Sequence, residues 1–195
     1  FKFQEKKFQW KQDLIGPVGK LPLDKLKFTL DDFESYLGNN NEANQIRELI
    51  KNSYRESANL SEATFKLVNQ LFGKYGLLVL EPNKKDLKKM FINFFKKELA
   101  DQFSFHSIEK QINKLKDNYS KTYSPQVNPR NINLFYLLPE GRYRIEKNDN
   151  KFVVKDIGKF FSEKELIDEL ETYPERFSPN VILRPLYQEV LLPNL

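Results

Sequence analysis

Two stretches of the chain place guanidinium and carboxamide groups at the borders of apolar runs. In QVNPRNINLFY, Asn128, Arg130, Asn131 and Asn133 lead into Leu134 to Tyr136. In SPNVILRPLYQEV, Asn180, Arg184, Gln188 and Glu189 surround an apolar VIL and Pro185. An Arg between the end of a strand and the start of a helix offers a planar fork of N–H donors that fits a carboxylate or phosphate. The helix N-terminus adds partial positive charge toward the same anion. The candidate substrate-binding residues are therefore Asn128, Arg130, Asn133, Asn180, Arg184, Gln188 and Glu189, with Arg184 foremost. The same pattern also fits structural ion pairs for the arginines and turn caps for the asparagines. Both readings stay open on sequence alone.

Other chemistries have little to draw on. The chain has no Cys, so disulfides, thiolate zinc sites and a thiol nucleophile are excluded. It has one His, His106, so a pair of helical His ligands to a metal is impossible. Seven dispersed glycines form neither a Walker loop nor a dinucleotide-binding turn. No metal site and no catalytic residue emerges.

The elements that must hold the candidate residues show in the periodicity. FKFQEKKFQW reads as a strand or strand pair, and the Gly/Pro-rich DLIGPVGKLPLDK as a loop. TLDDFESYLG predicts a short helix with Thr29 as N-cap. A second helix follows in NNNEANQIRELIKNSY. LSEATFKLVNQLFGKYG predicts a third, with Ser61 as N-cap and Gly73 and Gly76 at its end. The continuous apolar LLVLEP, residues 77–82, has the character of a strand buried on both faces. Helix, buried strand, helix is the rhythm of an α/β fold, and the expectation is a mostly parallel sheet containing Leu77 to Leu80 and Val181 to Leu183. RYRIEKNDNKFVVKD predicts a β-hairpin, and Ser162 with Glu165 a capping box opening a helix. Pro185 suits the first turn of a last helix.

Net charge is +5, and residues 84–121 carry ten Lys against five acids, the whole excess. Leu87, Met90, Phe91, Phe94, Phe95 and Leu99 recur at three and four between those lysines, so the stretch reads as amphipathic helix with a solvated basic face. Residues 105–119 step by three and four in a narrow seam, as in a helical hairpin. Residues 84–121 are therefore expected to form a helical insertion in a single, incomplete domain. A different class of reading is a non-enzymatic module whose Lys-rich helices bind nucleic acid or a protein partner. No apolar run approaches the length of a membrane span, and the lack of Cys suits a reducing, cytoplasmic setting.

SYRESANLSEATFKLVNQLFGKYGLLVLEPNKKDLKKMF, QVNPRNINLFYL, RYRIE and ERFSPNVILRPLYQEVLLPNL together resemble the cysteine-adding enzymes of bacillithiol biosynthesis, the BshC family. The likeness covers nearly the whole chain in order. Lys20, ending GPVGK, departs from the Arg the family usually carries there. The resemblance implies a Rossmann-like α/β core similar to class I aminoacyl-tRNA synthetases, with a coiled coil that makes the full-length proteins homodimers. It implies that this chain is a central fragment, cut between segments of that core, inactive in isolation and expected to be a monomer. It further implies joining of cysteine to glucosaminyl-malate, with ATP as the activating cofactor and small molecules, not membranes or nucleic acid, as partners.

Overall fold

The chain begins by turning back on itself. β1 (Lys2–Phe3) pairs antiparallel with β2 (Lys6–Lys7) across Gln4 and Glu5, which both adopt positive φ. The computed structural model describes residues 2–10, 16–149 and 151–192. These fall into two compact units, residues 1–81 with 139–141, and residues 82–138 with 142–195.

The first unit is helical beyond its small ribbon. α1 (Leu26–Ser35) starts earlier than the Thr29 cap expected from sequence, on Lys25, which makes no side-chain cap. Packing sets its start, because Leu23, Leu26 and Leu30 recur at three and four and all bury in one cluster with Ile50 and Ala63. α2 (Asn41–Ile50) is capped by Asn40, whose side chain accepts a hydrogen bond from the Ala43 amide at 2.9 Å. It runs on as a π-turn, Lys51–Arg55, and Arg55 reaches back to Asp31 at 2.7 Å and Glu34 at 2.9 Å of α1. α3 (Leu60–Phe72) is capped by Asn59 rather than Ser61, two residues earlier than expected. Gly76, at φ +85°, closes the following 3₁₀ turn where a side chain would be strained.

The expected buried strand at Leu77–Leu80 does not form. These residues are in neither helix nor strand, and Leu78 is 88% exposed. An apolar run becomes a two-faced strand only when other strands flank it, and none pairs with this one among the described residues.

The second unit opens with α4 (Lys85–Met90), α5 (Ile92–Asp101) and α6 (Phe103–Asn118). Its sheet comprises β3 (Leu134–Leu138), β4 (Gly141–Asn148), β5 (Lys151–Val154), β6 (Lys159–Ser162) and β7 (Phe177–Pro179), in the order β6-β5-β4-β3-β7. The β3–β7, β4–β5 and β5–β6 pairs are antiparallel, and β3 reaches β4 through only two residues, a link that permits nothing else. The mostly parallel arrangement expected from the helix–strand–helix rhythm is therefore corrected to an antiparallel meander closed by β7. Val181 to Leu183 form a turn; the strand lies just before them. The hairpin read from RYRIEKNDNKFVVKD is present as β4–β5.

α7 (Glu163–Thr172) carries the expected capping box: the Glu165 amide donates to Ser162 Oγ, and the Ser162 amide to Glu165 Oε2. α8 (Arg184–Leu191) has Pro185 in its first turn, as expected. Phe91, Phe95 and Leu99 enter one core with Tyr136, Phe177 and Leu170. Each fully buried Phe contributes roughly 1.5–3 kcal/mol. In α6, Ile108, Ile112 and Leu115 are half-buried, and Tyr119 beyond its end is exposed.

Candidate functional site

The antiparallel pairing of β3 with β7 matches Leu134 to Pro179 and Tyr136 to Phe177. One residue before β3 therefore meets one residue after β7, and the two sequence clusters join there. The Asn180 amide donates to the Asn133 carbonyl at 3.0 Å, and Asn180 Nδ2 to Asn133 Oδ1 at 2.8 Å. Asn133 is fully buried and spends its whole carboxamide internally. Its Nδ2 donates to Ser104 Oγ and to the Arg130 carbonyl, both at 2.7 Å, and its Oδ1 also takes the Arg130 amide at 3.2 Å. Beneath it, the buried Glu98 carboxyl accepts from the Asn133 amide at 2.8 Å, from Ser104 Oγ at 2.7 Å and from the Ser104 amide at 3.1 Å. Every polar group of this network has a partner, the condition under which a buried network rigidifies a fold.

Asn180 passes that rigidity to α8. Its Oδ1 accepts the Ile182 amide at 2.8 Å, and its carbonyl accepts the Arg184 amide at 2.9 Å. An Asx turn thus fixes where the helix begins. Arg184 is left exposed at that start, as the sequence placed it. Asn133 and Asn180 reach their expected neighbourhood, but as the residues that shape it. Arg130 is held through its backbone, and its side chain lines a shallow depression of about 420 Å³ with Arg144 and Lys147. Asn128, Gln188 and Glu189 are exposed. So is His106.

Two cations that sequence reasoning missed stand with Arg184. Arg142, on β4, lays its guanidinium 3.9 Å from the Phe135 ring centre and donates to the Pro179 carbonyl at 3.3 Å. Burial, then the Arg184 charge beside it, lowers its affinity for a proton. Lys88, on α4, is buried at 2% exposure. Burial, with Arg142 adding to it, pulls its ammonium down to about 7. The signal available for Lys88 was its presence inside an apolar-periodic stretch. Arg142 lay in the quoted RYRIE without any local mark.

Behind α7, Tyr136 donates to Glu169, which also pairs with Arg176 at 2.6 Å. Burial and this partner push Tyr136 up to about 12. Among the described residues no cluster of His, Cys, Asp or Glu could hold a metal, and no helix is long and apolar enough to cross a membrane.

The described residues thus form a mixed α/β fold with a rigid polar staple and an exposed arginine at a helix start. The family model for the bacillithiol biosynthesis protein BshC, N-terminal Rossmann-like domain, matches residues 1–195. The chain belongs to that family. It is 43% identical over its whole length to a protein of Flavobacterium johnsoniae and 45% identical to one of Flavobacterium psychrophilum. A protein of Christiangramia forsetii is 39% identical, again over the whole chain. All three are named "Putative cysteine ligase BshC". The chain spans about a third of the length of these relatives, 36% in each case.

Proposed function

We propose that the chain is part of a ligase that joins cysteine to glucosaminyl-malate, forming an amide between the cysteine carboxylate and the sugar amine. The observation that carries this reading is the match of every residue to the BshC family, whose relatives are named cysteine ligases. Condensing a carboxylate with an amine releases water and needs activation, for which ATP is the proposed co-substrate. The thiol belongs to the substrate, so a chain without Cys suits the chemistry. Arg184 is the proposed anion-binding residue. Gln188 and Glu189 follow on the same helix, and Glu189 is the proposed partner of an amine. Asn128 and Arg130 are further substrate contacts, while Asn133 and Asn180 hold the frame. The working enzyme is proposed to be a cytoplasmic homodimer, paired through the coiled coil implied by the resemblance.

The Lys-rich helices give less support to nucleic-acid binding. Phe91 and Phe95, the aromatics interleaved with those lysines, are fully buried and unavailable for stacking on bases. Lys96 pairs with Glu171, and Lys85 donates to the Thr172 carbonyl.

The test is to incubate a protein of the relatives' full length, carrying this chain, with cysteine, glucosaminyl-malate and ATP, following products by mass spectrometry. Amide product and ATP consumption are expected. ATP turnover without a cysteine adduct would refute the reading. The 195-residue chain alone is expected not to consume ATP.

A further inference from the structure

Lys88 is 2% exposed, and no described residue offers its Nζ an acceptor. Its Nζ lies 4.9 Å from the Tyr187 ring centre and 5.8 Å from that of Phe95. Among the described residues it has neither hydrogen bond nor ion pair. Leaving an ammonium in that state is costly. The acids on the elements packed around α4 do not relieve it. Asp86 pairs with Lys89, and Glu98 is engaged by Ser104 and Asn133. Glu175 keeps Oε2 buried without a partner, yet it makes no ion pair with Lys88, and neither does Glu189. The charges that act on this group are cationic: Arg142 on Lys88, and Arg184 on Arg142. No described carboxylate pairs with any of the three.

Arg142 and Lys88 are nevertheless held at their side chains, and Arg184 at its backbone. Arg142 lays one face of its guanidinium on the Phe135 ring and one N–H on the Pro179 carbonyl, on a residue that is exposed. Arg184 is fixed by the Asn180 turn. Lys88 is fixed between two aromatic rings, and the phenol of Tyr187 is itself anchored on the Pro82 carbonyl at 2.6 Å. Two cations anchored at their side chains and a third at a helix start, with no counter-charge among the described residues, describe a site completed by an anion.

We propose that Lys88, Arg142 and Arg184 bind a doubly charged anionic group of a small molecule, a dicarboxylate or a phosphoryl group, with Lys88 as its buried charge. The site stands on the Tyr187 ring of α8, over which Lys88 lies, and on the Pro179 carbonyl, which ties Arg142 to the turn that starts α8 at Arg184. The preference for a dicarboxylate rests on the ligase reading, in which glucosaminyl-malate brings two carboxylates.

The test is calorimetric titration of the 195-residue chain with malate and with inorganic phosphate. Sodium chloride of matched ionic strength serves as the blank, and NMR follows the titration of Lys88 at its Cε. One saturable site is expected, and Lys88→Met and Arg142→Gln each weaken it at least tenfold. Lys110→Met, which removes an exposed charge of α6, leaves it unchanged. A saturating anion raises the Lys88 midpoint by a unit or more, a shift that a purely structural lysine would not show. Arg142→Gln alters a surface residue, so it keeps the test sharp if Lys88→Met fails to fold. Absence of saturable binding to both anions, or binding unchanged in both variants, overturns the proposal. Phosphate binding tighter than malate keeps the site and sinks the dicarboxylate choice. Failure of the ligase assay alone would leave anion binding standing, so the two readings fail separately.

Discussion

Lys88→Met should stabilise the chain at neutral pH, and the gain should shrink in alkali. In the unfolded chain this lysine titrates near 10.5; in the fold, burial and then Arg142 pull it down to about 7. The folded state therefore holds the proton more weakly. Between those two values the unfolded chain carries more protons, so stability rises with pH; below the lower value both states are charged and the penalty is constant. A depression of this size corresponds to about 5 kcal/mol when the group is fully charged, about 4 at pH 7 and about 2 at pH 9. Methionine fills nearly the same space and forfeits only the cation–π contacts with Tyr187 and Phe95, about 1 kcal/mol. The net gain should be about 3 kcal/mol at pH 7 and about 1 at pH 9. Tyr187 is pushed up to about 12 and stays neutral throughout. Urea unfolding by circular dichroism, in phosphate-free buffers at both pH values, measures the difference. Trp10 is the single Trp and lies in the first unit, so the change should appear in a transition its fluorescence does not follow. A variant less stable than the parent at pH 7, or a gap that does not narrow by pH 9, would refute the reasoning.

In the full-length enzyme, Arg184→Lys should weaken the anionic substrate by about 1–3 kcal/mol through loss of the bidentate fork, read as a raised KM with the fold intact. Asn133→Ala should cost about 2–4 kcal/mol in urea unfolding, because it orphans groups on Ser104, Arg130 and Asn180. Asn133→Asp should do no better, since its new oxygen would face the Arg130 carbonyl. Burial raises the Glu169 carboxyl, but the hydrogen bonds from Tyr136 and Arg176 reverse this and leave it lowered. Its contribution is therefore present above its unfolded value of 4.5 and lost as acid drops through the folded one. In Tyr136→Phe, acid titration of stability should show a smaller loss over that window.

What could be read in the sequence was what is encoded locally. Ser162 and Glu165 stand three apart and cap α7, β4 folds back onto β5, and Pro185 stands in the first turn of α8. The placement of Arg184 at a helix start followed from the same short-range grammar. The partners of strands did not. Leu77 to Leu80 have the composition of a central strand, but a strand is defined by its neighbours, which lie elsewhere in sequence. Lys88 was hidden by the turn at Phe91, which separates α4 from α5 and rotates the buried face. A continuous helix would turn Met90 inward; instead Met90 is 57% exposed and Lys88 is buried. Asn133 meets Asn180 only through the β3–β7 register, and Arg142 nears Arg184 only through the order β4-β3-β7.

The exposed leucines of residues 77–80, outside any strand among the described residues, also bear on how the chain behaves in a tube. Leucine-rich backbone without strand neighbours is a template on which a second molecule can add a strand, and repeated addition leads to fibrils or precipitate. Lys74 lies just before the segment, and Glu81, Lys84 and Lys85 lie just after it, as gatekeepers whose repulsion keeps copies apart. That repulsion is screened over about 8 Å at 0.15 M salt and over about 3 Å at 1 M. Concentrated brine, far from being a gentle storage medium, should therefore drive self-association of molecules whose two units remain folded.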